Sequence, residues 1–191
     1  MAANAQSDRR QFWTRWRLAA WGTAAGLILL PLLAMQFTSE VKWGPEDFGF
    51  AIAMVVGIGV IYELAARVSS NRAYRVAVGI ALAAAFLLIW ANAAVGIIGS
   101  EDNAVNLWFD AVPAIGLFGA AIARFRARGM ARAMAATALA QVLVAVAAFV
   151  AGFELTGPMT VFFAAMWLTS AWLFRKAARE TMPGGEYSGP T

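Results

Sequence analysis

Apolar residues run together in six blocks of about 20, separated by short polar stretches. The uncharged blocks are Leu18–Ser39, Val76–Ser100, Ala133–Phe153 and Leu155–Phe174. Phe48–Ala66 and Ala104–Ala123 complete the set, each interrupted by one carboxylate, Glu63 and Asp110 respectively. An α-helix rises 1.5 Å per residue, so about 20 residues cross roughly 30 Å of hydrocarbon. The pattern predicts an all-α polytopic membrane protein: a bundle of six transmembrane helices in three antiparallel hairpins. The spans fall at about 18–37, 48–66, 76–98, 104–123, 133–153 and 158–174. Residues 16–179 form the transmembrane domain, and 1–15 and 180–191 read as cytoplasmic, disordered tails, the second rich in Gly and Pro.

The polar stretches between the blocks carry opposite charges in alternation. Arg9/Arg10/Arg15/Arg17, Arg67/Arg72/Arg75, Arg124/Arg126/Arg128/Arg132 and Arg175/Lys176/Arg179 fall on one face of a six-span chain. Glu40, Glu46, Asp47, Glu101, Asp102 and Glu154 fall on the other, with Lys42 as its only cation. Basic loops stay in the cytoplasm, so both termini are expected there. The first block is too long for a signal core and no small-x-small cleavage site follows it, which predicts an uncleaved anchor.

Connections are short: about ten residues from Thr38 to Asp47, eight or nine in each basic loop, five or six at the other outer turns. Gly44-Pro45-Glu46-Asp47 and Gly157-Pro158 read as helix starts, with proline where its missing N–H costs nothing. Ser100, Asp102 and Asn103 are each able to cap the fourth helix. Gly22/Gly26, Ala53/Gly57, Gly116/Ala120 and Gly119/Ala123 are small residues four apart, the spacing that lets helix backbones approach in lipid. Pro31 and Pro113 each remove a backbone hydrogen bond; Pro113 leaves the Phe109 carbonyl without its helix donor. An offset of 57 residues relates Arg75 and Ala81-Leu82-Ala83 to Arg132 and Ala138-Leu139-Ala140, a weak echo that uniform hairpin length explains as well as duplication does.

Composition narrows the chemistry. Hydrophobic residues make up 61% and charged residues 14%, against about 25% charged in an ordinary soluble domain. The net charge of +4 averages over two faces of opposite sign. Its cations therefore read as topology determinants and contacts to anionic lipid at the cytoplasmic loops, not as a nucleic-acid surface. With no cysteine and no histidine, disulfides, thiolate chemistry, His-ligated metals and a His base are excluded within the chain.

Three polar positions inside the blocks are candidates for function. Glu63 lies one turn before Arg67, the acid-before-base order that favours an interfacial ion pair. Asn103, Asn106 and Asp110 share one face of the fourth helix, and Asn92 on the third stands at a similar depth. An intramembrane carboxylate is costly, so Asn92, Asn106 and Asp110 form a candidate intramembrane polar site. It serves either as a hydrogen-bond clamp or as a transport site. Gln141, one turn after Thr137, is a candidate interhelical hydrogen bond. The outer carboxylates offer oxygen ligands but no calcium-loop spacing, so no metal site and no cofactor is expected. No phosphate loop, dinucleotide fingerprint, nucleophile elbow or zinc-protease motif supports an enzyme.

The stretch Trp90-Ala91-Asn92-Ala93-Ala94-Val95-Gly96-Ile97-Ile98-Gly99-Ser100-Glu101-Asp102-Asn103, with Ala123-Arg124-Phe125-Arg126 and Arg128-Gly129-Met130-Ala131-Arg132-Ala133, resembles a family of small uncharacterised bacterial six-helix inner-membrane proteins. The resemblance spans most of the six-helix region and implies the bacterial inner membrane; it carries over no catalytic or binding residue. Asn103-Ala104 replaces the Asn-Pro of that family, and Trp108-Phe109-Asp110 also departs from its pattern. Three functions are carried forward. The first is a non-enzymatic accessory subunit or homo-oligomer that packs through small-residue helix faces. The second is a small-solute or proton-coupled transporter using Asn92, Asn106 and Asp110. The third is a lipid-modifying enzyme.

Overall fold

The computed structural model describes residues 21–26, 28–38, 42–99, 102–153 and 156–181. The first basic cluster, Glu40, Ser100, Glu101, Glu154 and the tails 1–15 and 182–191 lie outside them. Among the described residues all regular structure is helical, with no strand. We number the helices α1 (Trp21–Phe37), α2 (Pro45–Val68), α3 (Arg72–Val95), α4 (Asn106–Ile122), α5 (Ala127–Val150) and α6 (Gly157–Glu180). Four of them, α2, α3, α5 and α6, are long and apolar enough to cross a membrane; α1 and α4 are shorter apolar helices.

The chain forms two compact units, Met1–Gly59 and Val60–Thr191, divided within α2. In the first unit, α2 starts on Pro45, and the Gly44 N–H donates to Asp47 Oδ2 at 2.8 Å. That bond occupies a donor the helix leaves open, and it sets two carboxylates in the positive first turn. Trp21 of α1 lies against Gly59 of α2, where a Cβ would come within 2.7 Å of the indole.

In the second unit α3, α4, α5 and α6 close a ring: each packs on the next, and α6 returns to α3. Ala77, Ala84, Leu88, Val112, Met134, Phe163, Trp167 and Phe174 fill its centre. Lipid tails are as apolar as these side chains, so close packing and polar bonds between helices hold such a ring. The α4–α5 seam shows the first. A Cβ at Gly116 would lie 3.2 Å from Thr137 Oγ1, and one at Gly119 would lie 2.8 Å from Ala133 Cβ. The α6–α3 seam shows the second: Ser170 Oγ donates to the Ala77 carbonyl at 2.9 Å, fully buried.

The basic ends of the ring are tied together. Arg75 donates to the carbonyls of Ser69 and Ala66, each at 3.0 Å, placing its charge at the negative end of α2. Asn71 caps α3 by accepting from Tyr74 N–H at 3.0 Å, and its Nδ2 reaches Glu180 Oε2 at 2.8 Å. The Tyr74 hydroxyl donates to the Phe125 carbonyl at 2.7 Å. That carbonyl belongs to a tight turn in which Arg124 and Phe125 both take left-handed backbone, φ 48° and 57°. Such a turn is costly for residues with a Cβ, and the Tyr74 bond helps to hold it.

Two expectations change here. The basic loops of eight or nine residues contract to 69–71 and 123–126, because α2 runs through Arg67, α3 starts on Arg72 and α5 takes in Arg128 and Arg132. Arg and Ala are good helix formers, and a long side chain reaches the interface from a helical backbone. For the same reason Glu180, expected to begin the C-terminal tail, is the last residue of α6.

Candidate functional site

The polar site expected around Asn92, Asn106 and Asp110 lies where α3 and α4 meet. The link between them, 96–105, is longer than the five or six residues expected. Gly96 and Gly99 end α3 and shape the link with φ of 72° and 67°, values that favour glycine. Asn103 falls before α4, so it does not share that helix's face with Asn106 and Asp110. Its Oδ1 instead accepts from Val105 N–H at 3.1 Å, two residues on, a turn made by the side chain. The N-cap position, Val105, has no side-chain cap.

Asn106 is the clasp of this turn. Its Oδ1 accepts from the backbone N–H of Ile97 at 3.1 Å and of Ile98 at 2.9 Å, and its Nδ2 donates to the Ile98 carbonyl at 3.4 Å. Asn92, 5% exposed, donates through Nδ2 to the Asn106 carbonyl at 3.0 Å. The two asparagines are therefore joined, but through the Asn106 backbone. Asp110 forms no side-chain bond to Asn92, and its Oδ1 is buried without a hydrogen-bond partner. The clamp between those two side chains is not made.

Four buried side-chain atoms lack a hydrogen-bond partner among the described residues: Asn92 Oδ1, Asp110 Oδ1, Gln141 Oε1 and Trp167 Nε1. Each helix of the ring supplies one. They fall into two kinds of pair. Gln141 lies ~21 Å along α5 from Ala127 and Trp167 ~20 Å back along α6 from Glu180, so they share a level on adjacent helices. One is an acceptor and the other a donor, so they are complementary. Asn92 and Asp110 present two acceptors, which cannot satisfy each other without a donor or a cation between them.

The remaining candidates resolve differently from expectation. Thr137 Oγ1 donates to the Ala133 carbonyl of its own helix at 2.9 Å, and Gln141 is 1% exposed with its Oε1 unpartnered among the described residues. Thr137 sits over Gly116, where the seam is too close to leave room for a partner side chain. The interhelical hydroxyl bond comes from Ser170, a residue not singled out in the sequence. Glu63 is half-buried and engaged, and Arg67, one turn on, is exposed. An i, i+4 ion pair is formed on α6, where Lys176 Nζ stands 4.0 Å from Glu180 Oε1. Tyr74 and Asn71 were also missed, because single polar residues at the mouth of an apolar block look like ordinary interface.

Among the described residues no group of three or more Asp, Glu, His or Cys stands together as a metal cluster would. A groove of about 390 Å³ runs between α5 and α6, lined by Val142, Ala145, Val146, Thr160, Ala164 and Leu168. It offers no chemistry beyond apolar contact. Comparisons of the chain with protein-family models, curated proteins and solved structures find no match.

Proposed function

We propose that this chain is a six-span protein of the bacterial inner membrane, with both termini cytoplasmic, that works without catalysis by associating with other membrane-embedded helices, a second copy included. One observation carries the reading. Of the four small-residue pairs, the two on α4 are occupied within the ring, where a Cβ at Gly116 or Gly119 would crowd α5. At Gly22, Gly26 and Gly57 a Cβ would meet nothing within 4 Å. Only 11% of the α2 span is buried, against 33% and 39% for the long helices of the ring. Helices associate in lipid through close backbone approach, and α1 and α2 retain that capacity. The transport reading draws less support, since Asn106 is committed to the 96–99 turn and Asn92 Nδ2 to the Asn106 carbonyl. Basic helix ends and a six-span count support the orientation and a contact with anionic lipid.

The chain lacks cysteine, so introduced cysteines report cleanly. In native membranes, Gly57→Cys and Gly26→Cys should cross-link into oligomers or to a second protein, and Gly116→Cys should not. Arg128→Cys should react with an impermeant thiol reagent only from the cytoplasmic side, and Asp102→Cys only from the other. A lone monomer in all three cross-linking variants, with a native mass of one chain, refutes association.

A further inference from the structure

We propose that Asn92 and Asp110 hold a monovalent alkali cation between α3 and α4, near the end of α4 that faces the 96–105 link. This does not depend on the association reading. Asn92 is 95% buried, from its exposure of 5%, and its amide is locked at one end: Nδ2 is fixed on the Asn106 carbonyl at 3.0 Å, leaving Oδ1 without a donor. That same carbonyl is the α-helical acceptor for the Asp110 N–H, four residues on. Asn92 therefore sits within one hydrogen bond of the Asp110 backbone. Side chains on a helix lean toward its N-terminus, over the residue three or four before, so the Asp110 carboxylate projects over the Asn106 turn where the Asn92 amide is held. Its Oδ1 is also buried and also without a donor.

The helix geometry thus brings two oxygen acceptors from adjacent helices to one turn, neither with a hydrogen-bond partner among the described residues. Leaving such groups unpaired in a low-dielectric interior is costly, and the remedy must be positive or a donor. The donor set selects the cation class. Both ligands are hard oxygens, which suit alkali and alkaline-earth ions over soft transition metals. One carboxylate beside one neutral amide balances a single charge, whereas calcium takes six to eight oxygens, and among the described residues no group of three or more carboxylates stands together. Asp110 is only half-buried as a residue and lies one turn from the start of α4, so water is able to complete the coordination shell. The Gln141–Trp167 level is excluded from the proposal because its acceptor and donor are complementary.

The test uses the full chain in nanodiscs, with melting followed by intrinsic tryptophan fluorescence. Sodium is titrated against choline at constant ionic strength, and lithium and potassium are then run in the same way. A ligand that binds only the folded state multiplies the folded-to-unfolded ratio about 100-fold at 100 times its dissociation constant. The wild-type chain should therefore show a saturable rise in melting temperature with at least one alkali ion. Asp110→Asn keeps the shape and removes the charge; it should fold and lose the rise. Asp102→Asn, in the exposed link, should retain it. A flat wild-type response to all three ions overturns the proposal, as does an undiminished rise in Asp110→Asn.

Discussion

Replacing Asn106 by alanine should destabilise the ring more than any other single polar deletion at the α3–α4 junction. The side chain accepts from two consecutive backbone N–H groups, of Ile97 and Ile98, and donates weakly at 3.4 Å. Alanine leaves both N–H groups without an acceptor. Ile98 is buried, so its N–H bears the full desolvation cost of about 1–3 kcal/mol, while the part-buried Ile97 N–H loses about 1 kcal/mol. The expected loss is about 2–4 kcal/mol, well above the average of about 0.6 for a hydrogen bond between membrane helices. Asn106→Asp keeps an acceptor oxygen for both N–H groups but turns its second oxygen on the Ile98 carbonyl, so it should recover part of the stability. Reversible unfolding in mixed micelles, read by helical circular dichroism, measures both variants. A loss below about 0.5 kcal/mol for alanine would refute the clasp. Equal losses for alanine and aspartate would show that the oxygen is not what matters.

Gly119→Val should destabilise by about 1–3 kcal/mol, because its Cβ would stand 2.8 Å from that of Ala133, whereas Gly57→Val should stay within about 0.5 kcal/mol in the same assay. Tyr74→Phe removes the bond to the Phe125 carbonyl and should cost about 1 kcal/mol. It should also speed tryptic cleavage after Arg124 or Arg126 in opened membranes, and unchanged cleavage would show that Tyr74 does not restrain the turn.

How much of this was legible depends on which force decides each feature. The helical class and the apolar core of each long helix follow from block length, because burial in hydrocarbon demands that backbone bonds be satisfied within the segment. Helix ends followed a different rule. Hydropathy stops at Arg67 and Arg75, but the backbone bonds run on through Arg67 and resume at Arg72, since arginine neither breaks a helix nor needs to leave it. At the polar site, sequence spacing located Asn92, Asn106 and Asp110 on facing helices. It could not show that Asn106 would turn to the 96–99 backbone, because that choice belongs to the left-handed geometry at Gly96 and Gly99. Thr137 and Ser170 make the same point. A hydroxyl within a helix bonds either its own turn or a neighbour, and only the distance between helices decides; α5 lies too close to α4 at Gly116, and α6 meets α3 where the Ala77 carbonyl is in reach.

The return of α6 onto α3 has a consequence in time. Ser170 and Ala77, joined across that seam, are separated by 93 positions along the chain. Ribosomes add roughly 5–20 residues per second, so about 5–20 s pass between the synthesis of the two partners. Throughout that interval α3 shows to the bilayer the flank that α6 will cover, with Tyr74 and Ala77 on it. The nascent protein is thus an open arc before it is a closed circle, and its last helix is the keystone. A chain halted before α6 would persist as that arc, exposed to the quality-control proteases of the membrane for as long as it lasts.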